Sequence, residues 1–342
     1  MNYAVIMAGG RGERFWPLSR REKPKQFLQL VSKDPLVLET IKRLEKIIDK
    51  ERIYVVTTDS LKKRFIDIGI PEEKLILEPF GMNTLYAITL SAIVIYLMDS
   101  EGSMITVPSD HFVGDVKKFA NVIDKGLSAV NDDTLVTFGI KPTRPETGYG
   151  YIEIGEKLED NIYNVKRFTE KPNLKKAAEF IKSGTFFWNS GIFLWKVKKI
   201  INEVKTYQPH LVKAIDNLIK NFNKENIMAF YSIGQPISID YGVMERSKNV
   251  AMIVADFSWD DIGTWTSLER IFDKDARGNV AKGDVLNINN NNCILFSQDG
   301  VILAEGLNDY IIVHTEDATL VLPKARAQDL RRFLKEVMEK YL

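Results

Sequence analysis

Residues 7–27 read MAGGRGERFWPLSRREKPKQF and follow directly on the first apolar run of the chain. The stretch contains three glycines, four arginines and two lysines, and Pro17 and Pro24 interrupt it. Proline and glycine disfavour a regular helix, and the many charges exclude a core strand, so we predict a loop. Charge alone allows either a solvated basic loop or a loop that wraps an anionic ligand.

The position of this loop favours the ligand-binding interpretation. Glycines after a buried strand let backbone N–H groups approach a ligand closely, because no Cβ intervenes. Arg11, Arg14 and Lys25 supply positive charge, a combination that suits a polyphosphate at the carboxyl end of a strand. The P-loop pattern is absent, and the dinucleotide-binding fingerprint lacks its third glycine.

The bulk composition is that of an ordinary globular chain, with 342 residues, 45% of them hydrophobic and 27% charged. The formal net charge of +1 gives no support to a global nucleic-acid or membrane-surface role, so any anion site is local. Cys293 is the single cysteine, which excludes an intramolecular disulfide and indicates a cytoplasmic protein. The apolar run 85–98 is too short to span a bilayer comfortably, so we predict a buried helix there.

Strands and helices alternate through the first half of the sequence. We predict buried strands at residues 3–8, 52–58, 74–79, 103–111 and 134–140. Strands that alternate with helices indicate βαβ units, so we predict an α/β fold with a Rossmann-like, mixed, mostly parallel sheet. After Ile140 the pattern changes, and we expect the following residues, up to about Trp265, to form an extra lobe beside the main sheet.

Short β runs separated by asparagine, glycine and aspartate begin at Asp284 and predict a small C-terminal β unit. The sequence has no strict hexapeptide repeat, so we expect a short β-helix-like unit rather than a long regular β-helix. Residues from Ala327 onward predict a terminal helix. The charged segment 273–284 holds the predicted domain boundary, which gives a first domain of residues 1–278 and a second of residues 279–342.

Acidic residues accompany the basic loop. Asp110 ends the fourth predicted strand in VPSDH, and Asp260 and Asp261 lie in SWDDIGTW. Polyphosphate chemistry usually needs Mg²⁺, which is held by one or two carboxylates and by phosphate oxygens. Taken singly, Asp110 could cap a helix and Asp260 could be exposed, but together with the glycine-rich loop these residues favour a metal site.

The loop closely resembles the signature of the sugar-phosphate nucleotidyltransferases, and its WPLSR and KPKQF segments resemble the mannose-1-phosphate guanylyltransferases among them. Seven further segments resemble motifs of that family in the same order: EPFGMNT, VPSDH, ETGYGYIE, RFTEKP, FFWNSGIF, SIDYGVME and WDDIGTW. The resemblance runs from Ala8 to Trp265. Glu13 departs from the pattern, because the family usually has threonine there, and Thr169 stands where valine is common.

The resemblance implies transfer of GMP from GTP to mannose 1-phosphate, with GDP-mannose and pyrophosphate as products and Mg²⁺ as cofactor. The implied nucleotide-binding residues are Ala8, Gly9, Gly10, Gly12, Asn83, Thr84 and Ser109. The implied catalytic residues, which bind the phosphates, are Arg14, Lys25 and Lys171. The implied sugar-binding residues are Gly148, Tyr149, Glu170, Asn189 and Asp240. The implied metal ligands are Asp110 and Asp261, the latter because it stands two residues before Gly263, as in the motif.

Other functions remain open on the sequence. A nucleotidyltransferase for another base or sugar, of the dTDP- or UDP-glucose type, would share most of these motifs. A non-catalytic sugar-nucleotide-sensing subunit would keep the fold but would be expected to lose at least one charged residue. A nicotinamide-dependent dehydrogenase is disfavoured by the missing glycine. We expect no nucleic-acid or membrane partner, and the C-terminal unit is a candidate homodimer contact.

Overall fold

The computed structural model describes residues 1–10, 12–337 and 339–341, so the charge predicted for Arg11 lies outside the described residues. Two compact units divide the chain. Unit 1 comprises Met1–Gly9, Ile41–Pro108 and Asp115–Phe257, and unit 2 comprises Gly10–Thr40, Ser109–Gly114 and Ser258–Leu342. The domain boundary at residue 278 is a division of the sequence and stays a prediction.

Unit 1 is built, within the described residues, on a mixed sheet of nine strands in the order β3-β2-β1-β4-β9-β6-β10-β8-β7. The strands are β1 (Asn2–Met7), β2 (Ile53–Thr58), β3 (Leu75–Glu78), β4 (Ser103–Pro108), β6 (Leu135–Ile140), β7 (Tyr151–Glu159), β8 (Ile162–Thr169), β9 (Phe186–Lys196) and β10 (Val250–Ala255). Strand β1 pairs in parallel with both β2 and β4, and β2 pairs in parallel with β3. The five strands predicted from apolar runs are therefore present.

The expectation of an extra lobe after Ile140 is wrong. Strand β9 pairs antiparallel with β4 and β6, and β10 pairs in parallel with β6, so the later strands extend the main sheet. The aromatic run of β9 is buried at this central position, where Trp195 and Phe193 are 0% and 2% exposed. Alternating aromatic and polar residues fitted a lobe strand and a central strand equally well, and long-range pairing decided between them.

Helices accompany the sheet of unit 1. Helix α1 (Leu36–Leu44) crosses the division between the two units. The α-helices that lie wholly in unit 1 are α2 (Lys62–Asp67), α3 (Thr84–Met98), α4 (Val116–Ala129), α5 (Leu174–Ser183), α6 (Val197–Tyr207), α7 (Val212–Lys220) and α8 (Lys224–Tyr231). Helix α3 is apolar on all sides and its residues from Leu85 to Ile93 are buried, as predicted. No helix in the described part of the chain is long and apolar enough to cross a membrane.

Unit 2 contains a four-stranded sheet among its described residues, formed by β12 (Val280–Ile288), β13 (Ile294–Glu305), β14 (Tyr310–His314) and β15 (Thr319–Pro323). Strands β12, β13 and β14 pair in parallel through successive coils, and β15 returns antiparallel. This is the short β-helix-like arrangement that was predicted. Two short strands, β5 (Phe112–Val113) and β11 (Trp259–Asp260), pair antiparallel elsewhere in the unit.

The end of the chain is less regular than predicted. The terminal segment forms a single turn of α-helix, α10 (Leu330–Phe333), flanked by 3₁₀ turns Lys324–Asp329, Leu334–Glu336 and Glu339–Tyr341. Met338 and Leu342 lie outside the described residues. The buried side chains of Leu330 and Leu334 join a core around Trp265, which also contains the inner face of β13 and β14. The short helix α9 (Leu268–Ile271) belongs to the same unit.

Candidate active site

Gly12 fixes the conformation of the basic loop in unit 2. Its backbone is left-handed, with φ of 60°, and a Cβ at this position would lie 2.5 Å from the backbone nitrogen of Lys25. Real Cβ contacts are essentially never that short, so glycine is required for the two segments to approach. A 3₁₀ turn, Glu13–Phe15, follows directly and buries Phe15. The predicted turn therefore depends on glycine at position 12, because the backbone of Lys25 leaves no room for a side chain there.

Lys25 lies at the centre of a group that we call the Lys25 cluster, made up of Arg14, Lys25, Asp110 and Asp261. The Lys25 side chain is only 8% exposed, and its Nζ lies 2.9 Å from Oδ2 of Asp110. The same Nζ donates a 2.6 Å hydrogen bond to the backbone carbonyl of Asp261. A nearly buried lysine is expensive to desolvate, and the carboxylate and carbonyl offset that cost. Residues far apart in the sequence therefore meet at one ammonium group.

A pocket of about 420 Å³ opens over the Lys25 cluster, and all four of its members line it. Burial raises the pKa of Asp110, but the neighbouring charges of Lys25 and His111 outweigh it and leave that pKa below its usual value. Asp110 is therefore ionised at neutral pH. The Lys25 cluster thus offers two cationic side chains beside carboxylate oxygens, a mixture suited to phosphate together with a metal ion.

Asp110 and Asp261 supply the donor type that a hard divalent cation requires. Both are carboxylates, and a Cβ on Gly263 would come within 3.0 Å of Oδ2 of Asp261, so the backbone leaves space there that a larger residue would fill. Within the described residues, no three histidine, cysteine, aspartate or glutamate side chains gather as a candidate metal-binding group. The chemistry of this donor pair fits an ion that takes its remaining ligands from substrate phosphates and water.

Asp260 has a different environment from Asp261. It is 4% exposed, accepts a 2.9 Å hydrogen bond from the Ile262 N–H, and forms an ion pair of 2.5 Å with Nε of Arg270. The alternative that Asp260 is exposed is therefore wrong, and so is a helix-capping role for Asp110, because Asp115 caps α4. These contacts of Asp260 fix the backbone segment that carries Asp261.

Ile262 adopts an unusual backbone conformation directly after Asp261. Its φ is 45°, in the left-handed region that β-branched residues rarely enter, and its side chain is fully buried. Such a conformation persists only where the surrounding structure holds it, here through the Asp260 hydrogen bond and the core around Trp265. Strained residues of this kind cluster at functional sites, which agrees with a role for the Asp261 segment.

In unit 1, two of the predicted nucleotide-binding residues, Asn83 and Thr84, lie at the start of helix α3. Asn83 has φ of 67°, and its side chain accepts a 2.8 Å hydrogen bond from the Thr84 N–H. The Thr84 hydroxyl in turn accepts from the Ile239 N–H at 2.9 Å. Ala8 is tied to β2, since its carbonyl accepts from the Thr57 hydroxyl at 3.0 Å. Of the unit 2 residues predicted for the nucleotide, Ser109 is buried and Gly10 is exposed.

Glu78 is a functional candidate to which the sequence analysis assigned no role. It ends β3, is 4% exposed, and accepts a 2.9 Å hydrogen bond from the Tyr231 hydroxyl. Burial raises the pKa of Glu78 to about 7, and the Tyr231 hydrogen bond opposes that rise only in part. A Cβ on Gly9 would lie 3.3 Å from its Oε2. The only sign of this role in the sequence is that Glu78 is a single charged residue directly after the apolar run of residues 75–77.

A second group of predicted residues meets in unit 1, and we call it the Asp240 cluster: Glu170, Lys171, Asn189 and Asp240. Nδ2 of Asn189 donates a 2.7 Å hydrogen bond to Oδ1 of Asp240, and Nζ of Lys171 lies 2.9 Å from Oε1 of Glu170. Burial, and then the charge of Glu170, raise the pKa of Asp240 to about 6. The cluster offers several oxygen acceptors and one exposed ammonium group.

Tyr149 and Gly148 lie in a turn beside this cluster. The Tyr149 carbonyl accepts a 3.2 Å hydrogen bond from the Lys171 N–H, and its ring packs edge-on against Trp188 at 5.2 Å. Two residues that were not predicted from the sequence shape the turn. Oε1 of Glu146 accepts from the Gly148 N–H at 3.1 Å, and Arg144 stacks over Trp188 at 4.9 Å. Both residues lie in the segment TRPETGYG. Glu146 is the first residue of the ETGYGYIE motif and Arg144 stands two residues before it, but neither was assigned a role.

Comparisons with known proteins agree with this arrangement of motifs. The family model described as Nucleotidyl transferase matches residues 3–278, and the one described as MannoseP isomerase/GMP-like beta-helix domain matches residues 283–337. A mannose-1-phosphate guanylyltransferase of Escherichia coli is 35% identical over 97% of this chain and 75% of its own length. One from Klebsiella pneumoniae is 35% identical over 97% of this chain and 74% of its own length.

A solved structure is similar over nearly the whole chain. The crystal structure described as a mannose-1-phosphate geranyltransferase from Thermus thermophilus has a TM-score of 0.92 and 32% sequence identity. The match covers 98% of this chain and 99% of that one.

Proposed function

Because this chain belongs to the nucleotidyl transferase family, we propose that it transfers GMP from GTP to α-D-mannose 1-phosphate, giving GDP-mannose and pyrophosphate. The names of its relatives supply the substrates. The single structural observation that supports the proposal most strongly is the buried Lys25, held between Asp110 and the Asp261 carbonyl at the floor of a pocket.

The reaction joins two highly negative molecules, so their repulsion has to be screened before attack. An oxygen of the sugar 1-phosphate attacks the α-phosphorus of GTP in line, and the bond from the α-phosphorus to its bridging oxygen breaks. The electron pair leaves with pyrophosphate. No general base is required, because the attacking phosphate is already ionised. Catalysis is then positioning and charge stabilisation, to which Arg14 and Lys25 contribute by binding the triphosphate.

The family generally uses a divalent metal, and we propose Mg²⁺ held by Asp110 and Asp261. When bound, the metal supplies charge neutralisation at the phosphate oxygens. Lys25 keeps Asp110 ionised and oriented. The ion pair between Asp260 and Arg270 fixes the segment that carries Asp261. A preference for Asp261 over Asp260 is supported by the ion pair between Asp260 and Arg270, which occupies both carboxylate oxygens of Asp260.

Glu78 is our candidate for recognition of the base in unit 1. Guanine presents two adjacent N–H donors on its Watson–Crick edge, and the carboxylate form of Glu78, which predominates above its pKa of about 7, can accept both. Adenine presents no such pair of donors. The closeness of Glu78 to Gly9, a predicted nucleotide-binding residue, supports this role, together with backbone groups around Asn83 and Thr84.

The Asp240 cluster is our candidate for the sugar phosphate. Glu170, Asn189 and Asp240 carry acceptors and a donor for hexose hydroxyls, and Lys171 carries the charge for the 1-phosphate. The Lys171 side chain is 62% exposed and is bound to Glu170 alone among the contacts described for it. Tyr149 and Gly148 form the adjoining turn.

A homodimer is a further part of the proposal. The outer face of β12 and β13 exposes Leu286, Ile288, Val301 and Leu303, and Leu286 pairs directly with Leu303. Exposed apolar patches on a β surface commonly mark contacts between chains. Light scattering should give twice the chain mass for the wild-type protein and the single chain mass for Leu303→Asp; an unchanged mass in that variant would contradict the proposed contact.

Release of pyrophosphate tests the proposed activity. We expect release with GTP, mannose 1-phosphate and Mg²⁺, and its loss with EDTA. Faster release with dTTP or UTP and glucose 1-phosphate would show that the proposed base, guanine, and the proposed sugar, mannose, are wrong. No release with any pair, combined with tight GDP-mannose binding, would indicate a sensing subunit. The predicted cytoplasmic location remains part of the proposal, supported by the single cysteine.

A further inference from the structure

The C-terminal segment of the chain contributes a cation to the pocket over the Lys25 cluster. Arg331, on α10, lines that pocket together with Gly12, Arg14 and Lys25. It also contacts Glu13, the residue at which the loop departs from its family pattern. The two residues are 318 positions apart in the sequence, and nothing in the proposed mechanism uses either of them.

The contact between Glu13 and Arg331 has a definite orientation. Nε of Arg331 donates a 2.8 Å hydrogen bond to Oε2 of Glu13, and the Arg331 and Glu13 side chains are 70% and 32% exposed. Among the described residues, Arg331 makes no other hydrogen bond or ion pair, so both of its terminal nitrogens lack a protein partner. A guanidinium group held through Nε presents those two nitrogens as a rigid fork, which matches two oxygens of a phosphate.

The charge balance of the pocket leaves room for such a group. Lys25, its most buried cation, already binds Asp110 and the Asp261 carbonyl. Among the residues that the structure describes, the pocket is lined by as many carboxylates as cationic side chains, namely Glu13, Asp110 and Asp261 against Arg14, Lys25 and Arg331. A triphosphate or pyrophosphate brings several further negative charges, so a cation whose donors are not already used gains most from binding it.

We propose that Arg331 binds the pyrophosphate part of the nucleotide through its terminal nitrogens, and that Glu13 is a positioning residue which holds Arg331 over the pocket. The inference rests on the proposed function and adds to it a residue from the C-terminal segment. The C-terminal segment then has a role in the reaction, because α10 carries an anion-binding side chain to the part of the basic loop that begins at Gly12.

Arg332 provides a matched control. It is the neighbouring arginine on the same turn of helix and is also exposed, but it stacks over Phe333 at 5.7 Å and does not line the pocket of the Lys25 cluster. A general effect of charge at the C-terminal segment would therefore follow loss of either arginine. An effect of phosphate binding would follow loss of Arg331 alone.

The first experiment is calorimetric titration of the full-length chain with magnesium pyrophosphate, which needs no turnover. Loss of a charge-assisted contact by Arg331→Ala should weaken binding about tenfold or more, and Arg331→Lys should recover part of it. Arg332→Ala should stay within about twofold of wild type. Binding by Arg331→Ala within twofold of wild type, or equal losses in both alanine variants, would overturn the inference. A thermal melt of each variant checks that it is folded.

Steady-state kinetics separate this inference from the proposed function. In the wild type, failure to make GDP-mannose would refute the proposed function, whereas the titration would still report on Arg331. If the wild type is active, Arg331→Ala should raise the KM for GTP and for pyrophosphate in the reverse direction, with the KM for mannose 1-phosphate unchanged. An equal rise in the KM of every substrate would contradict a pyrophosphate-specific role.

A double substitution tests the positioning role of Glu13. We expect Glu13→Ala to weaken pyrophosphate binding less than Arg331→Ala, because it frees the guanidinium without removing it. Glu13→Ala combined with Arg331→Ala should bind no more weakly than Arg331→Ala alone, since coupled residues are not additive. Multiplied losses in the double variant would show that the two residues act independently.

Discussion

Nζ of Lys25 lies 2.9 Å from Oδ2 of Asp110, and the lysine side chain is only 8% exposed to solvent. A basic loop at the start of the chain and an aspartate that follows β4 thereby share one ion pair, in which the lysine is buried and the Asp110 side chain is 30% exposed. Removing one partner of such a pair leaves the other without compensation in a poorly solvated place. The pair thus links the stability of unit 2 to the chemistry proposed for its pocket.

The first prediction concerns Lys25→Ala. We expect kcat/KM to fall about 100- to 1000-fold, because a preorganised charge at the phosphates is lost. Chemical denaturation should show a loss of about 2 kcal/mol, because the partly exposed Asp110 keeps its charge without its partner. Lys33→Ala removes an exposed lysine that follows the loop in the sequence and should change neither quantity. Full activity in Lys25→Ala would contradict the account.

The second prediction separates the two adjacent aspartates. Asp261→Asn should reduce activity at least about 100-fold and raise the Mg²⁺ concentration needed for half-maximal rate, with the free energy of unfolding almost unchanged. Asp260→Asn should instead cost about 3 kcal/mol of stability, because Arg270 loses its buried partner. Denaturant titrations beside Mg²⁺-dependent rates distinguish the two. The reverse pattern would reassign the metal ligand to Asp260.

The third prediction concerns pH and Glu78. The pKa of Glu78 is about 7 in the folded protein against an ordinary value of 4.5, so the folded state favours its protonated form. The contribution of this residue to stability is fully present below pH 4.5 and is lost as pH rises through 7. The pKa rises from 4.5 to about 7 on folding, and each pH unit of that rise is worth about 1.4 kcal/mol. The charged form of Glu78 should therefore lower the free energy of unfolding by roughly 3 kcal/mol at pH 8.

Glu78→Gln isolates that effect from other titrating groups such as Asp240. Denaturation at pH 4 should find the variant close to wild type, and denaturation at pH 8 should find it more stable. If Glu78 also recognises guanine, the same variant should lose discrimination between GTP and ATP. A stability difference between variant and wild type that does not depend on pH would refute the raised pKa.

The fourth prediction concerns Gly12. Alanine there has to adopt φ of 60° and also place its Cβ 2.5 Å from the backbone nitrogen of Lys25. We expect Gly12→Ala to cost about 3 kcal/mol, from the left-handed backbone and from overpacking together. Gly306→Ala has a similar φ of 69° with no atom within 4 Å, so it should cost only about 1 kcal/mol. Equal costs in denaturation would show that the contact with Lys25 is not close.

Local patterns were enough to predict much of the first unit. The strands β1 and β4 and the buried helix α3 could be predicted because burial on both faces leaves mainly apolar runs, such as Ala-Val-Ile in β1. The ordered motifs indicated the family before any fold was known.

Pairing between residues far apart in the chain could not be predicted from the sequence. Strand β9 joins the main sheet through partners far away in the sequence, on β4 and β6, and Arg331 meets Glu13 across almost the whole chain. The C-terminal coils carry a weak repeat in which Asn291 pairs with Asn308 and Asn292 bonds Asp309, each 17 residues on. That spacing lies outside the hexapeptide period that a sequence search for β-helices uses.

The most direct test of the central claim is ³¹P NMR of a reaction containing GTP, mannose 1-phosphate and Mg²⁺. Attack at the α-phosphorus should convert the three GTP signals into pyrophosphate and the paired diphosphate signals of GDP-mannose, in equal amounts. The formation of GDP and inorganic phosphate, with mannose 1-phosphate unconsumed, would mean attack at the γ-phosphorus and would contradict the account.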